Sequence, residues 1–204
     1  MKRKSLGLMF MLVGALLVAS ALGLTAYNII AERHAGQTAR EALSVISTAV
    51  TPIPAEELGA KQRPVYELDP HVSMPEVSVN NVPYVGYLCI PKLNLELPII
   101  TRTTDHYLTI APCRYSGTAY MDDLVIGAHN YSTHFGRLKE LRYGDVITFT
   151  DMDGNVFSYE VDNIETLNPD QEEYLRESEY PLTLYTCTIG GRTRVTVRCI
   201  AAET

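Results

Sequence analysis

The sequence predicts a mostly β domain, a small barrel or sandwich of seven or eight strands with short helices, preceded by one membrane-spanning helix. Three observations carry that reading. Residues 5–31 hold no charged side chain and follow the basic triplet Lys2, Arg3 and Lys4. Six of the 11 prolines crowd into residues 52–83. From Tyr84 onward, short β-branched and aromatic runs alternate with turn signals. The 204 residues therefore read as an anchor, a spacer and one domain large enough to bury its own core.

A helix needs about 20 apolar residues to cross a bilayer core, and residues 5–31 supply them. Lys2, Arg3 and Lys4 are expected to stay cytoplasmic, which puts everything after Glu32 outside. The competing reading is a cleavable signal peptide cut after an Ala-x-Ala-like site at Ala19 and Ala21. The apolar run continues past that site to Ile30, which favours a retained single-pass anchor. The formal charge is -7, and setting aside the three N-terminal cations leaves -10 on the rest. Nucleic acid is excluded as a partner, because phosphate binding needs a basic footprint.

The expected boundaries are 1–31 for the cytoplasmic tip and anchor, 32–80 for an extracellular helix and Pro-rich spacer, and 81–204 for the globular domain. Within the second segment, Ala39, Leu43, Ile46 and Val50 recur at helical intervals and predict a short amphipathic helix. Proline removes backbone donors and fixes φ, so residues 52–83 are expected to be an extended spacer. Strands are expected over 84–90, 95–100, 124–128, 146–150, 156–164, 182–187 and 193–201. Asp151-Met152-Asp153-Gly154-Asn155 reads as a hairpin connection. Short helices are expected over 105–111, 135–141 and 171–177.

Four cysteines occur, Cys89, Cys113, Cys187 and Cys199, with no C-x-x-C pair. Export permits bridges, but Cys89 and Cys199 sit inside expected strands, where cysteine serves as a small buried hydrophobe. A zinc site using His129, His134 and a thiolate lacks any supporting ligand spacing.

Cys187 differs from the other three. It ends the run Leu182-Thr183-Leu184-Tyr185-Thr186-Cys187 before a glycine-containing turn. The following strand brings Arg192, Arg194 and Arg198 to one face by period-two alternation. That row is either a solvated surface or a source of fixed cations beside the thiol. Upstream, residues 124–128 form an apolar strand that ends at His129-Asn130. Thiol attack on an amide creates an oxyanion and a leaving amine that needs a proton. A guanidinium meets the first need and an imidazole the second.

These residues resemble the sortases, cysteine transpeptidases of Gram-positive cell surfaces. Thr183-Leu184-Tyr185-Thr186-Cys187 is similar to the family's TLxTC signature, and Gly127-Ala128-His129-Asn130 to its strand-end histidine motif. Arg194-Val195-Thr196-Val197-Arg198 resembles the last strand, which bears the family's arginine. Gly86-Tyr87-Leu88-Cys89-Ile90-Pro91-Lys92-Leu93 resembles the opening strand, and Pro98-Ile99 follows suit. Phe135-Gly136-Arg137-Leu138 through Gly144-Asp145 matches an F-x-x-L…GD segment. Five motifs stand in family order across residues 84–201.

The resemblance implies an eight-stranded β-barrel whose groove takes an LPXTG-like sorting signal. Cys187 would attack the threonyl carbonyl and hold the product as a thioester. An amine of a peptidoglycan cross-bridge or a pilin lysine would resolve it. His129 would be the general acid/base and Arg194 the oxyanion ligand, while Thr186, Asn130 and Arg192 would contact substrate. Only six residues separate Cys187 from Arg194, which leaves Arg192 as a rival for the arginine role. Asn130 and His134 resemble class B, but the stretch from Ile164 to Leu182 is too short for that class's inserted helix, so a class D-like or otherwise unassigned member is the expectation. No cofactor or metal is implied; Asp122 and Asp123 are read as solvated. The rival reading is a membrane-anchored, non-catalytic β-domain that binds a wall component. Papain-like peptidases run Cys before His, the reverse of the order here.

Overall fold

The computed structural model describes residues 2–50, 64–176 and 179–202. They form two compact units, divided between His34 and Ala35. Helix α1 (Lys2–Ala49) supplies all of the first. Its aliphatic side chains from Leu8 to Ile30 are exposed, and by length and composition it is able to cross a membrane. Its interior polar groups are satisfied locally. The Ser20 and Thr25 hydroxyls donate to the carbonyls of Leu16 and Ala21, each at 2.9 Å, as an apolar surrounding requires.

In the second unit the last turns of α1 present Ala39, Ala42, Ile46 and Val50 to Tyr84, Tyr87, Ile100, Cys113 and Met152. The spacing of three and four places these residues on one stripe, and the two alanines let the helix approach closely. Pro52 and Pro54 lie outside the described residues. From Pro64 onward the expected free spacer is instead packed. Helix α2 (Val65–Leu68) brings Tyr66 flat onto Tyr120, ring centroids 4.6 Å apart. Met74 is buried, and β1 (Val77–Val79) pairs antiparallel with β2 (Val82–Ile90). Proline limits backbone donors but not side-chain burial, and apolar side chains every few residues make this segment a cover for the barrel.

The barrel continues through β3 (Leu95–Ile100), β4 (Cys113–Ser116), β5 (Leu124–Ala128), β6 (Val146–Asp151), β7 (Val156–Leu167), β8 (Leu182–Cys187) and β9 (Arg194–Ala201). The strand order is β1-β2-β3-β4-β5-β8-β9-β7-β6, and β6 pairs back onto β2. Eight strands, β2 to β9, therefore close, which removes exposed sheet edges. The β3–β4 and β5–β8 contacts are parallel, and the remaining pairings are antiparallel. Leu88, Ile99, Ile126, Phe149, Leu184 and Val197 fill the interior, each worth roughly 1.5–3 kcal/mol on burial.

The 151–155 turn is tied by Asp151. Its fully buried carboxylate accepts from the amides of Asp153 and Asn155, the Asn155 side chain and the Tyr120 hydroxyl. Two strands escape the sequence pattern, β1 and β4, both too short to show alternation. Helix α3 (Asp105–Leu108), N-capped by Thr104, is shorter than expected. The helix expected over 135–141 is a single 3-10 turn, Leu138–Glu140. Helix α4 (Glu172–Arg176) lies in the β7–β8 connection.

Candidate active site

All four cysteines are free, and their surroundings separate them. Cys113 and Cys199 are buried, and burial pushes both thiols up to about 12. Cys89 is half-buried, its thiol raised first by burial and then by Glu96. Cys187 alone is exposed.

Strand alternation explains that exposure. Leu182 and Leu184 join the interior cluster, so Thr183, Tyr185 and Cys187 take the outer face. Thr186 turns inward: it is 3% exposed, and its hydroxyl donates to the Ala128 carbonyl at 2.9 Å. Thr186 thereby ties the tip of β8 to the tip of β5 instead of lining a groove.

Register then assembles the neighbours. Cys187 stands directly opposite Arg194 across β8 and β9, which puts their Cβ atoms about 5 Å apart on one face. Ala128 pairs with Thr186 in the parallel β5–β8 ladder, so His129 leaves β5 beside the residue that ends β8. His129 is half-buried, its ring 5.1 Å from that of Tyr131. Burial pulls its imidazole below the ordinary histidine value, opposed by the charge of Asp105. Asn130 beside it is exposed.

The three arginines part company. Arg192 is exposed in the β8–β9 turn. Arg194 is partly exposed, and its Nη1 donates to the Pro169 carbonyl at 3.2 Å. Arg198 is 2% exposed and belongs to no solvated row. Its guanidinium donates to Glu165 Oε1 at 2.9 Å, Thr183 Oγ1 at 3.1 Å and the Tyr174 carbonyl at 2.9 Å. The rings of Tyr174 and Tyr180 lie 5.1 and 6.0 Å from it. Helix α4 and Tyr180 cover that part of the outer face, which period-two alternation has no means of showing.

His134 is fully buried, with its ring 5.5 Å from that of Tyr131. Among the described residues no group of three or more His, Cys, Asp or Glu is placed to hold a metal ion.

Tyr185 and Gly127 are additions that sequence reasoning passed over. A Cβ at position 127 would sit 2.5 Å from the Tyr185 ring. The glycine thus lets that ring lie across β5, where it meets Tyr115 edge-on at 5.5 Å. The available signal was the glycine two residues before the histidine, at the register position opposite Tyr185.

The architecture is a closed β-barrel with one exposed thiol at a strand tip, a design suited to cysteine-dependent chemistry on an extended chain. Residues 88–202, more than half of the chain, match the family model of the sortase domain. The chain belongs to the sortase family, whose members are cysteine transpeptidases. Sortase C-1 from Actinomyces oris is 26% identical, with a TM-score of 0.51 over 58% of this chain and 73% of that one. A sortase C from Clostridium perfringens, solved with the C-terminal cell wall sorting motif, is 26% identical with a TM-score of 0.53, over 65% and 75%. Sortase A from Corynebacterium diphtheriae, a lid mutant, shares the fold at 23% identity and a TM-score of 0.52, over 85% and 94%. No curated protein matches the chain.

Proposed function

We propose that this protein is a membrane-anchored sortase that cleaves an LPXTG-like sorting signal and joins the upstream protein to an amine. The acceptor is a peptidoglycan cross-bridge or a pilin lysine. The helix of the first unit is the single-pass anchor, with its basic end cytoplasmic and the barrel outside. The observation that carries the reading is the meeting of strand tips: Cys187 opposite Arg194 in register, and His129 leaving the strand bonded to β8.

In the proposed sequence, Cys187 Sγ attacks the threonyl carbonyl while its proton passes to His129. The Arg194 guanidinium stabilises the oxyanion. The C–N bond breaks, and His129 returns the proton to the departing amine. A thioester remains on Cys187. The acceptor amine attacks it, the C–S bond breaks, and His129 carries the amine proton to the departing sulfur, which regenerates the thiol. The lowered imidazole value, set by burial, favours passing the proton on rather than keeping it. Thr186 keeps the two tips in register through its bond to Ala128, and Asn130 and Arg192 lie on the exposed rim where substrate passes.

The test is incubation of the full chain in detergent micelles with LPXTG-like peptides and a triglycine acceptor. Intact-mass and peptide-level mass spectrometry are expected to show an acyl adduct on Cys187 that disappears when the amine is added. A Cys187→Ala chain that still cleaves or transfers refutes the proposal. A chain that binds the peptide without any adduct supports the non-catalytic binding module.

A further inference from the structure

Beside the candidate active site lies a cleft with a chemistry of its own. It has a volume of about 610 Å³ and is lined by residues after β3 and along β4, among them Thr101, Arg102, Arg114, Tyr115, Ser116 and Thr118. A volume of that order holds a segment of a flexible ligand rather than a single water. It adjoins the outer face of β8 through one aromatic contact, the edge-on pair of Tyr115 and Tyr185. Tyr185 precedes Cys187 by two residues on the same face, a separation of roughly 7 Å.

The cleft is cationic in a domain whose net charge is strongly negative. Arg114 uses two of its five N–H groups to hold the walls, donating to the carbonyls of Thr101 at 2.8 Å and Gly117 at 3.4 Å. Burial pulls its guanidinium down, offset by the charges of Glu76 and Asp123. The Asp123 carboxylate is already engaged by the Thr118 amide at 2.7 Å. Arg102 is exposed, with its guanidinium 5.9 Å from the Tyr107 ring. Gly117, at φ +69°, brings its backbone against Asp123 where a Cβ has no room. The wall is therefore a shaped one.

Two hydroxyls supply an independent observation. Thr101 is 7% exposed, and among the described residues its Oγ1 and the Oγ of Ser116 are buried without a hydrogen-bond partner. Buried polar atoms are nearly always satisfied, and an orphan points to a missing partner. A hydroxyl both donates and accepts, so the two orphans call for a polar partner, and the two arginines that line the cleft favour a negatively charged one.

We propose that this cleft is an anion subsite that takes a carboxylate of an extended peptide, with Arg102 and Arg114 as its cations and Thr101 and Ser116 as neutral donors. The inference rests on the sortase reading only for the peptide's identity. The carboxylate belongs either to the sorting signal or to the acceptor peptide, and both present the same group.

The test uses the full chain in detergent micelles, carrying Cys187→Ala to stop turnover, and reads fluorescence anisotropy. One arm compares labelled peptides containing LPETG and LPQTG. The other compares a labelled triglycine peptide with a free C-terminal carboxylate against its carboxamide. In one arm the acid is expected to bind about tenfold more tightly than its neutral partner, the lower range for a charge-assisted hydrogen bond. That preference is expected to fall with added salt and to vanish in Arg102→Gln. Arg114→Gln is expected to act likewise, but it also loosens the cleft walls. Thr101→Val serves as the second variant: it is expected to weaken the acid while leaving melting temperature equal or higher, since it removes an orphaned hydroxyl. Equal binding of acid and neutral peptides in both arms overturns the inference, as does an acid preference that survives both Arg102→Gln and Thr101→Val. An acyl adduct on the wild-type Cys187 with no acid preference sinks this subsite alone; an acid preference without any adduct sinks the transferase reading alone.

Discussion

Replacing Arg198 with methionine probes how the outer face beside Cys187 is held. The substitution keeps a long unbranched side chain and deletes the charge. It removes three donated bonds, to Glu165, Thr183 and the Tyr174 carbonyl, and the cation's contact with two tyrosine rings. Breaking a buried ion pair costs about 3–5 kcal/mol, because one charge stays behind unpaired. The Glu165 side chain is 25% exposed, so water reaches it and the loss falls at the lower end, about 3 kcal/mol. For a unit of this size each kcal/mol lowers the melting temperature by roughly 2–4 °C, giving a fall of roughly 6–12 °C. Near-UV circular dichroism on the full chain in micelles reads the tyrosines, 12 of the 13 of which lie outside α1. Glu165→Gln is expected to cost at least as much, since it leaves the more deeply buried Arg198 guanidinium without its counter-ion. Arg198→Met with Glu165→Leu is expected to recover part of the loss, because a hydrophobic pair of similar volume often equals a buried ion pair. A melting temperature for Arg198→Met within about 2 °C of wild type refutes the clamp.

Three further outcomes are expected. Arg194→Ala should lower peptide cleavage by about 10²–10³-fold, the usual loss for an oxyanion donor, whereas Arg192→Ala stays near wild type; a fluorogenic sorting peptide reads both, and the reverse ranking reassigns the arginine. Gly127→Ala should drive its Cβ into the Tyr185 ring and destabilise by about 1–3 kcal/mol, with Tyr185→Ala restoring the melting temperature in the double variant; no rescue means the clash lies elsewhere. His129, lowered by burial in the folded chain, binds fewer protons folded than unfolded, so its contribution to stability is complete above the ordinary histidine value near 6.5 and is lost as pH falls from there through the folded value. Melting temperature should therefore drop, as pH falls below about 6.5, more steeply in wild type than in His129→Gln, and parallel curves contradict it.

Local pattern carried much of this protein. The apolar N-terminal run, the helical stripe through Ala39, Ile46 and Val50, and seven strands with their hairpin at 151–155 follow from side-chain periodicity, which the backbone imposes residue by residue. The exposed cysteine was legible for the same reason, since a strand end before a glycine turn has little to bury it. What periodicity does not carry is partnership between distant segments. That β5 and β8 are parallel neighbours, that α4 seals Arg198 from water, and that residues 64–79 cover the barrel rather than stand off from it are consequences of closure. Strands β1 and β4 belong to this group too, because a run of three or four residues gains its identity from the strand it pairs with. The chain alone specified which side chains each strand turns outward. Only the closed barrel decided which of them meet, because burial and hydrogen bonding between strands are properties of pairs far apart in sequence.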